Sequence, residues 1–105
     1  PLLFKVFLSI FYFELRLINL ASNEYFKSIK KDQLKARVIT PVFKDLSNGT
    51  YKVFMTYAKN ARGLMAKFII KNKITEPDLL KSFNENGYIY EPELSDKNNW
   101  LFTRG

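Results

Sequence analysis

The sequence contains neither cysteine nor histidine, and glycine and proline occur only four times each in 105 residues. Such a chain forms no disulfide, offers no thiol nucleophile or histidine base, and builds no Cys/His zinc site. Any proton transfer would depend on Asp, Glu, Lys, Tyr, Ser or Thr side chains. We therefore expect neither a metal nor a cofactor. The lack of cysteine fits a reducing, cytoplasmic setting, which we expect for this protein.

Long apolar runs and nucleotide-binding signatures are also missing. Spanning a bilayer takes about 20 apolar residues, and the one apolar segment at the start, PLLFKVFLSIFYF, is shorter and is broken by Lys5 and Ser9. We expect no membrane span and predict a buried helix over residues 1–13, with the damaged start of a truncated gene as the alternative. There is no P-loop and no GxGxxG stretch.

Positive charge is concentrated in the middle of the chain. The net charge is +7, and residues 27–73 hold twelve Lys and Arg against two acids, whereas residues 74–105 carry an excess of acids. A basic middle with an acidic tail predicts a polyanionic partner such as DNA or another phosphate-bearing ligand. A solvated, lysine-rich surface is the alternative.

The order of motifs predicts a mixed α/β (α+β) fold in one domain, since 47% of the residues are hydrophobic and the chain is too short for two domains. The run Leu15–Leu20 predicts a buried strand, after which Ser22 caps a helix. Asn48-Gly49 predicts a β-hairpin turn, and Pro41 places the first hairpin strand at a sheet edge or a bulge. In the second hairpin strand, Tyr51, Val53, Met55 and Tyr57 should share one face.

A basic amphipathic helix is predicted over residues 58–72. Five apolar residues fall on one side of it: Ala61, Leu64, Met65, Phe68 and Ile69. Five basic residues fall on the other: Lys59, Arg62, Lys67, Lys71 and Lys73. Gly63 lies among the basic residues, although glycine costs a helix about 1 kcal/mol relative to alanine. A glycine there removes a side chain where a phosphate or another segment of the chain can approach the backbone.

The C-terminal third is predicted to hold a short helix and two strands. Thr75 should cap the helix EPDLLKSF, with Pro77 and Asp78 in its first turn. NENG reads as a turn, and YIYE and WLFTR as antiparallel strands. No second domain and no repeat is evident.

The candidate chemistry rests on few residues. Glu24 is a possible acid or base and Tyr25 a possible proton donor, while Ser22 together with the basic helix could hold a phosphate. Lysines offer point charges to phosphates and Arg62 offers a bidentate fork. Each of these residues could equally serve the fold alone.

Four stretches resemble the C-terminal half of the YaaA peroxide-stress protein family. They are INLASNEYFKSI, KARVITPVFKD with NGTYKV, YAKNARGLMAKFIIKNKITEPDLLKSF and GYIYEPELSDKNNWLFTR. The resemblance covers residues 17–104, and residues 1–16 form an atypical hydrophobic start, so we expect a single partial domain of a larger fold whose N-terminal half is a missing partner.

The resemblance implies a cytoplasmic bacterial protein of the oxidative-stress response that binds DNA through a basic cleft and limits oxidative damage and free iron. The motifs SNEY and YAKxARG point to Ser22, Glu24 and Tyr25, and to Lys59, Arg62 and Gly63. Two alternatives stay open: an enzyme acting on a nucleotide or nucleobase through these motifs, and an inactive fragment of a truncated gene.

Overall fold

The computed structural model describes residues 10–13, 16–21 and 37–105. Its strands are β1 Ile10–Phe13, β2 Arg16–Asn19, β3 Arg37–Ser47, β4 Thr50–Lys52, β5 Ile89–Tyr90 and β6 Asn99–Arg104. One α-helix, α1, spans Met55–Lys71, and short 3-10 helices occupy Pro77–Ser82, Glu85–Gly87 and Pro92–Leu94. The predicted mixed α/β fold class is confirmed.

The strands form one sheet in the order β1-β2-β3-β6-β5, and β4 pairs with the end of β3. β3 runs parallel to both β2 and β6, whereas β1–β2, β3–β4 and β5–β6 are antiparallel pairs. The predicted hairpin is confirmed: Asn48 and Gly49 take positive φ values of 52° and 78° between β3 and β4. The C-terminal antiparallel pair is confirmed as well.

The core lies between the sheet and α1 and is rich in aromatic rings. Phe43 on β3 sits 5.3 Å, between ring centroids, from both Tyr88 and Phe102, and 5.9 Å from Phe83. From α1, Ala58, Ala61, Met65 and Ile69 are buried, while Leu64 and Phe68 pack partly buried against the same cluster. The predicted apolar face of the helix is therefore confirmed. No helix of the described residues is both long and apolar enough to cross a membrane.

The predicted N-terminal helix is wrong over its last four residues. Ile10–Phe13 forms β1, which pairs with β2, and Pro1–Ser9 lie outside the described residues. The sequence IFYF combines a β-branched residue with three aromatic ones, a composition that favours a strand when a neighbouring strand is present.

The prediction that Pro41 marks an edge strand is also wrong, because β3 is the central strand of the sheet. The Thr40 amide donates to the Asn98 carbonyl on the β6 side at 2.7 Å. The backbone nitrogens of successive strand residues point to opposite sides, so the Pro41 nitrogen points to the other side of β3. There β2 pairs only with 37–39 and β4 only with 45–47. Proline therefore costs this strand no ladder hydrogen bond in the described residues.

The second hairpin strand is shorter than predicted, and α1 starts earlier. β4 ends at Lys52, so Val53 lies between the elements while Met55 and Tyr57 belong to the first helical turn. An extended β4 would have to pair with β3 across Pro41, which has no N–H to donate. Leaving the sheet at Lys52 lets the chain bury the apolar side of α1.

The short helix after α1 was predicted correctly except for its cap and its type. It is a 3-10 helix with Pro77 at its start and Asp78 in the first turn, as expected. Its N-cap is Glu76, which makes no side-chain capping bond, and Thr75 precedes it. The predicted Thr75 cap is therefore wrong.

Candidate nucleic-acid interface

The helix α1 carries four positive charges and no acidic residue. Lys59, Lys67 and Lys71 are spaced by multiples of four along MTYAKNARGLMAKFIIK, with Gly63 filling the vacant position of the series. Side chains four residues apart lie above one another on a helix surface. We call these three residues the lysine row.

The lysine row faces solvent. Lys59, Lys67 and Lys71 are all exposed, and the two ion pairs of the described residues, Lys81–Asp78 and Arg104–Asp45, involve none of them. At about 1.5 Å per residue, the row spans about 18 Å along the helix. Over that length a DNA duplex presents about ten phosphate charges. Within the described residues, no acidic side chain pairs with the lysine row.

Arg62 lies at the margin of α1 rather than in the exposed row. It is half-buried, and burial lowers the pKa of its guanidinium. In the part of the chain that the structure describes it forms no hydrogen bond or ion pair. A partly desolvated cation gains more from an anion than an exposed one does, so the predicted role of Arg62 in phosphate binding stays a prediction that its burial favours.

Gly63 is exposed, and among the described residues no atom lies within 4 Å of the position a Cβ would occupy. The idea that another segment fills this space therefore finds no support in the described residues. Among the described residues, the helix backbone at Gly63 is therefore uncovered between Lys59 and Lys67.

Replacing Gly63 with alanine should raise the free energy of unfolding by about 0.5–1 kcal/mol, because helix propensity rises and the new methyl group meets nothing. The same change should weaken DNA binding, because it adds a side chain between the lysines. Urea unfolding and DNA titration measure the two effects. Asn60→Ala, also exposed on α1, is the control that should stabilise without weakening binding. Unchanged DNA affinity in Gly63→Ala would show that the glycine is merely tolerated.

A second cluster, not predicted from the sequence, joins the carboxyl ends of β3 and β6. Buried Asp45 accepts a hydrogen bond from the Tyr88 hydroxyl at 2.5 Å and another from Arg104 Nε at 2.6 Å. The Arg104 guanidinium lies 4.5 Å from the Tyr88 ring centroid and 5.0 Å from that of Tyr57. Its Nη1 also donates to the Asn86 carbonyl. The carboxylate is thus fully engaged inside the fold.

The Asp45 cluster holds the ends of β3 and β6 together and is not an acid–base pair. Burial, followed by the hydrogen bond to Asp45, raises the pKa of Tyr88 to about 12, so the phenol keeps its proton at neutral pH. The hydrogen bond to Asp45 likewise raises the pKa of Arg104. The signal that could have revealed the cluster is register: Asp45 follows Ile39, Pro41 and Phe43 on the buried face of β3.

The three candidates from the SNEY motif, Ser22, Glu24 and Tyr25, lie outside the described residues. Their predicted roles in capping, proton transfer and phosphate binding stay predictions. So does their approach to Arg62, on which the alternative of a nucleotide enzyme depends. Of the candidate site residues, the structure places together Lys59, Arg62, Gly63, Lys67 and Lys71, all on α1.

Residues 9–94 match the family model described as "Peroxide stress protein YaaA". The chain belongs to this family. Curated relatives named UPF0246 protein are 59% identical in Teredinibacter turnerae, 56% in Colwellia psychrerythraea and 49% in Neisseria meningitidis serogroup C. Each match covers 88 residues, which is 84% of this chain and 34% of the relative. The chain therefore spans about a third of the length of these YaaA-family relatives.

Membership in the YaaA family confirms the resemblance that the sequence motifs indicated. The lysine row, Arg62 and Gly63 lie on a helix inside the stretch that matches the YaaA model. The family description associates this stretch with peroxide stress and says nothing of its ligand.

Proposed function

We propose that this chain carries a phosphate-binding surface through which a peroxide stress protein of the YaaA family contacts DNA. The observation that supports the proposal is the lysine row on an acid-free helix. Lys59, Lys67 and Lys71 are exposed and unpaired within the described residues. A helix whose charged face only solubilised the protein would usually mix both signs, since Glu–Lys pairs four residues apart stabilise it.

The three features of the helix have separate tasks. The lysine row supplies charge along the DNA backbone and displaces condensed counterions, which gives affinity without sequence preference. Arg62 contributes a planar donor fork at the margin of the helix, suited to one phosphate. Gly63 removes the side chain that would otherwise hold the backbone phosphates away from α1.

Covering DNA in this way would limit its oxidation during peroxide stress, in the cytoplasm. The lowering of free iron is a separate proposal to which we assign no ligands, since no three acidic side chains of the described residues converge into a metal site. The DNA contact involves phosphates only and needs no bound metal.

Titration of a fluorescent duplex with this chain at 50 and 200 mM salt tests the DNA contact. Each phosphate neutralised contributes about −0.9 to the slope of log K against log salt, so the lysine row with Arg62 predicts a slope of about −3 to −4. The affinity should then fall about 60- to 250-fold between the two salt concentrations. Duplexes of unrelated sequence should bind alike. Absence of binding at 50 mM salt, or a slope near zero, would refute the proposal.

A further inference from the structure

Five large apolar side chains are exposed where the β3–β4 hairpin leads into α1. They are Leu46 (46% exposed), Val53 (50%), Phe54 (38%), Met55 (86%) and Tyr57 (50%). We call them the apolar end of the domain. Scattered exposed apolar residues are ordinary, but a contiguous group marks a surface that another molecule or segment covers.

Contacts within the domain hold parts of the apolar end in place. The Phe54 and Tyr57 rings lie 5.9 Å apart, and the inner side of Tyr57 is held by the Arg104 guanidinium. Leu46 adjoins Gly105, whose carbonyl accepts a hydrogen bond from the hydroxyl of Tyr51. The stretch 53–58 contains no charged residue. Residues 53–58 of this surface are therefore uncharged, and Tyr57 is held in place by the Asp45 cluster behind it.

Nothing in the helix itself accounts for the apolar end. The first turn of α1 has no acidic residue and no side-chain cap, although both would stabilise it. It presents Met55 to solvent instead. A break of the amphipathic pattern in the first turn of a helix points to a requirement outside the helix.

We propose that the apolar end is the surface on which the rest of a full-length YaaA chain packs. The relatives are about three times as long as the stretch they share with this chain, which covers 34% of each. About two thirds of each relative therefore lies outside the shared stretch, and a polar surface would give that part little to bury. This proposal is independent of DNA binding, because the lysine row is not part of the surface.

A second copy of this chain fits the surface less well. The chain carries a net charge of +7, and two copies joined at the start of α1 would bring two lysine rows toward each other. Like charges of this size oppose self-association. Self-association remains an outcome that the experiment can detect.

The two methionines supply a direct measurement of burial. Hydrogen peroxide oxidises the methionine thioether to a sulfoxide: one oxygen atom passes to sulfur, and water leaves. Met55 is 86% exposed and Met65 is fully buried, so in this chain alone Met55 should be oxidised quickly and Met65 slowly. Peptide mass spectrometry after timed peroxide exposure gives both rates.

The oxidation rates in this chain are compared with those in a chimera. The chimera is the full-length Teredinibacter turnerae relative in which the 88 matched residues of this chain replace its own. Any 88-residue stretch of a 105-residue chain includes residues 18–88, so both methionines are present. We expect Met55 oxidation to be at least tenfold slower in the chimera than in this chain alone. The variant Ile70→Met is the matched control: Ile70 is 59% exposed at the far end of α1, and its replacement should be oxidised equally in both proteins.

Equal Met55 rates in the chimera and in this chain would overturn the proposal. Slower Met55 oxidation in this chain alone at higher protein concentration would also overturn it, since a second copy would then cover the surface. Slow Met65 oxidation shows that the chimera is folded. If Met65 is oxidised quickly in the chimera, the oxidation rate of Met55 is measured instead on this chain mixed with the remaining polypeptide of the relative. Failure of that polypeptide to slow Met55 oxidation overturns the proposal.

Discussion

Replacing Asp45 with alanine is expected to lower the free energy of unfolding by about 3 kcal/mol, because two hydrogen bonds to a charged group are lost while the partly exposed Arg104 regains water. The change leaves the Tyr88 hydroxyl buried without its acceptor and the Arg104 guanidinium without its carboxylate. Domains of this size are stable by about 5–15 kcal/mol in total, so the loss is a large fraction. Urea unfolding monitored by circular dichroism measures it.

Two further variants separate the parts of the Asp45 cluster. Tyr88→Phe removes one donor and should cost about 1–2 kcal/mol, because Asp45 keeps its bond to Arg104. Asp96→Ala is the exposed control: Asp96 accepts backbone amides of Asn98 and Asn99 in a surface turn and should cost about 1 kcal/mol. A loss of less than about 1 kcal/mol in Asp45→Ala would mean that the cluster does not hold the two strand ends together.

The local features of the fold could be predicted from the sequence because they depend on neighbouring residues. Asn48-Gly49 specifies its turn through positive φ values, and the spacing of Ala61, Met65 and Ile69 specifies the buried side of α1. The same reasoning failed where two local patterns overlapped. Val53, Met55 and Tyr57 alternate as a strand would, yet β4 ends at Lys52 and Met55 already belongs to α1.

The long-range features could not be predicted. β3 and β6 pair in parallel although Asp45 and Arg104 are 59 positions apart, and no short-range pattern encodes that choice. The Asp45 cluster depends entirely on this pairing. By contrast, helical periodicity correctly placed Lys59, Lys67 and Lys71 on the exposed side of α1, although Lys73 lies beyond the end of the helix; their role in binding stays a prediction.

Replacing Lys59, Lys67 and Lys71 together with glutamine should nearly abolish the salt dependence of DNA binding. Each lysine removed should flatten the slope of log K against log salt by about 0.9. The remaining slope, from Arg62, should be about −1 or closer to zero. If all three lysines neutralise phosphates, the affinity at 50 mM salt should fall by about a thousandfold, since a charge-assisted contact is worth about 1.5 kcal/mol. The fold should survive, because all three side chains are exposed and glutamine has nearly the same helix propensity as lysine.

The matched control is the triple replacement of the same lysines with arginine, which keeps the charge and should keep the slope. It separates charge from the identity of the side chain, and thus electrostatic backbone binding from base-specific contacts. A glutamine triple variant that binds DNA with an unchanged slope would show that the contact lies elsewhere in the basic segment. In that case Arg62 and Gly63 would lose their proposed roles too, since both are assigned to the ligand that the lysine row attracts.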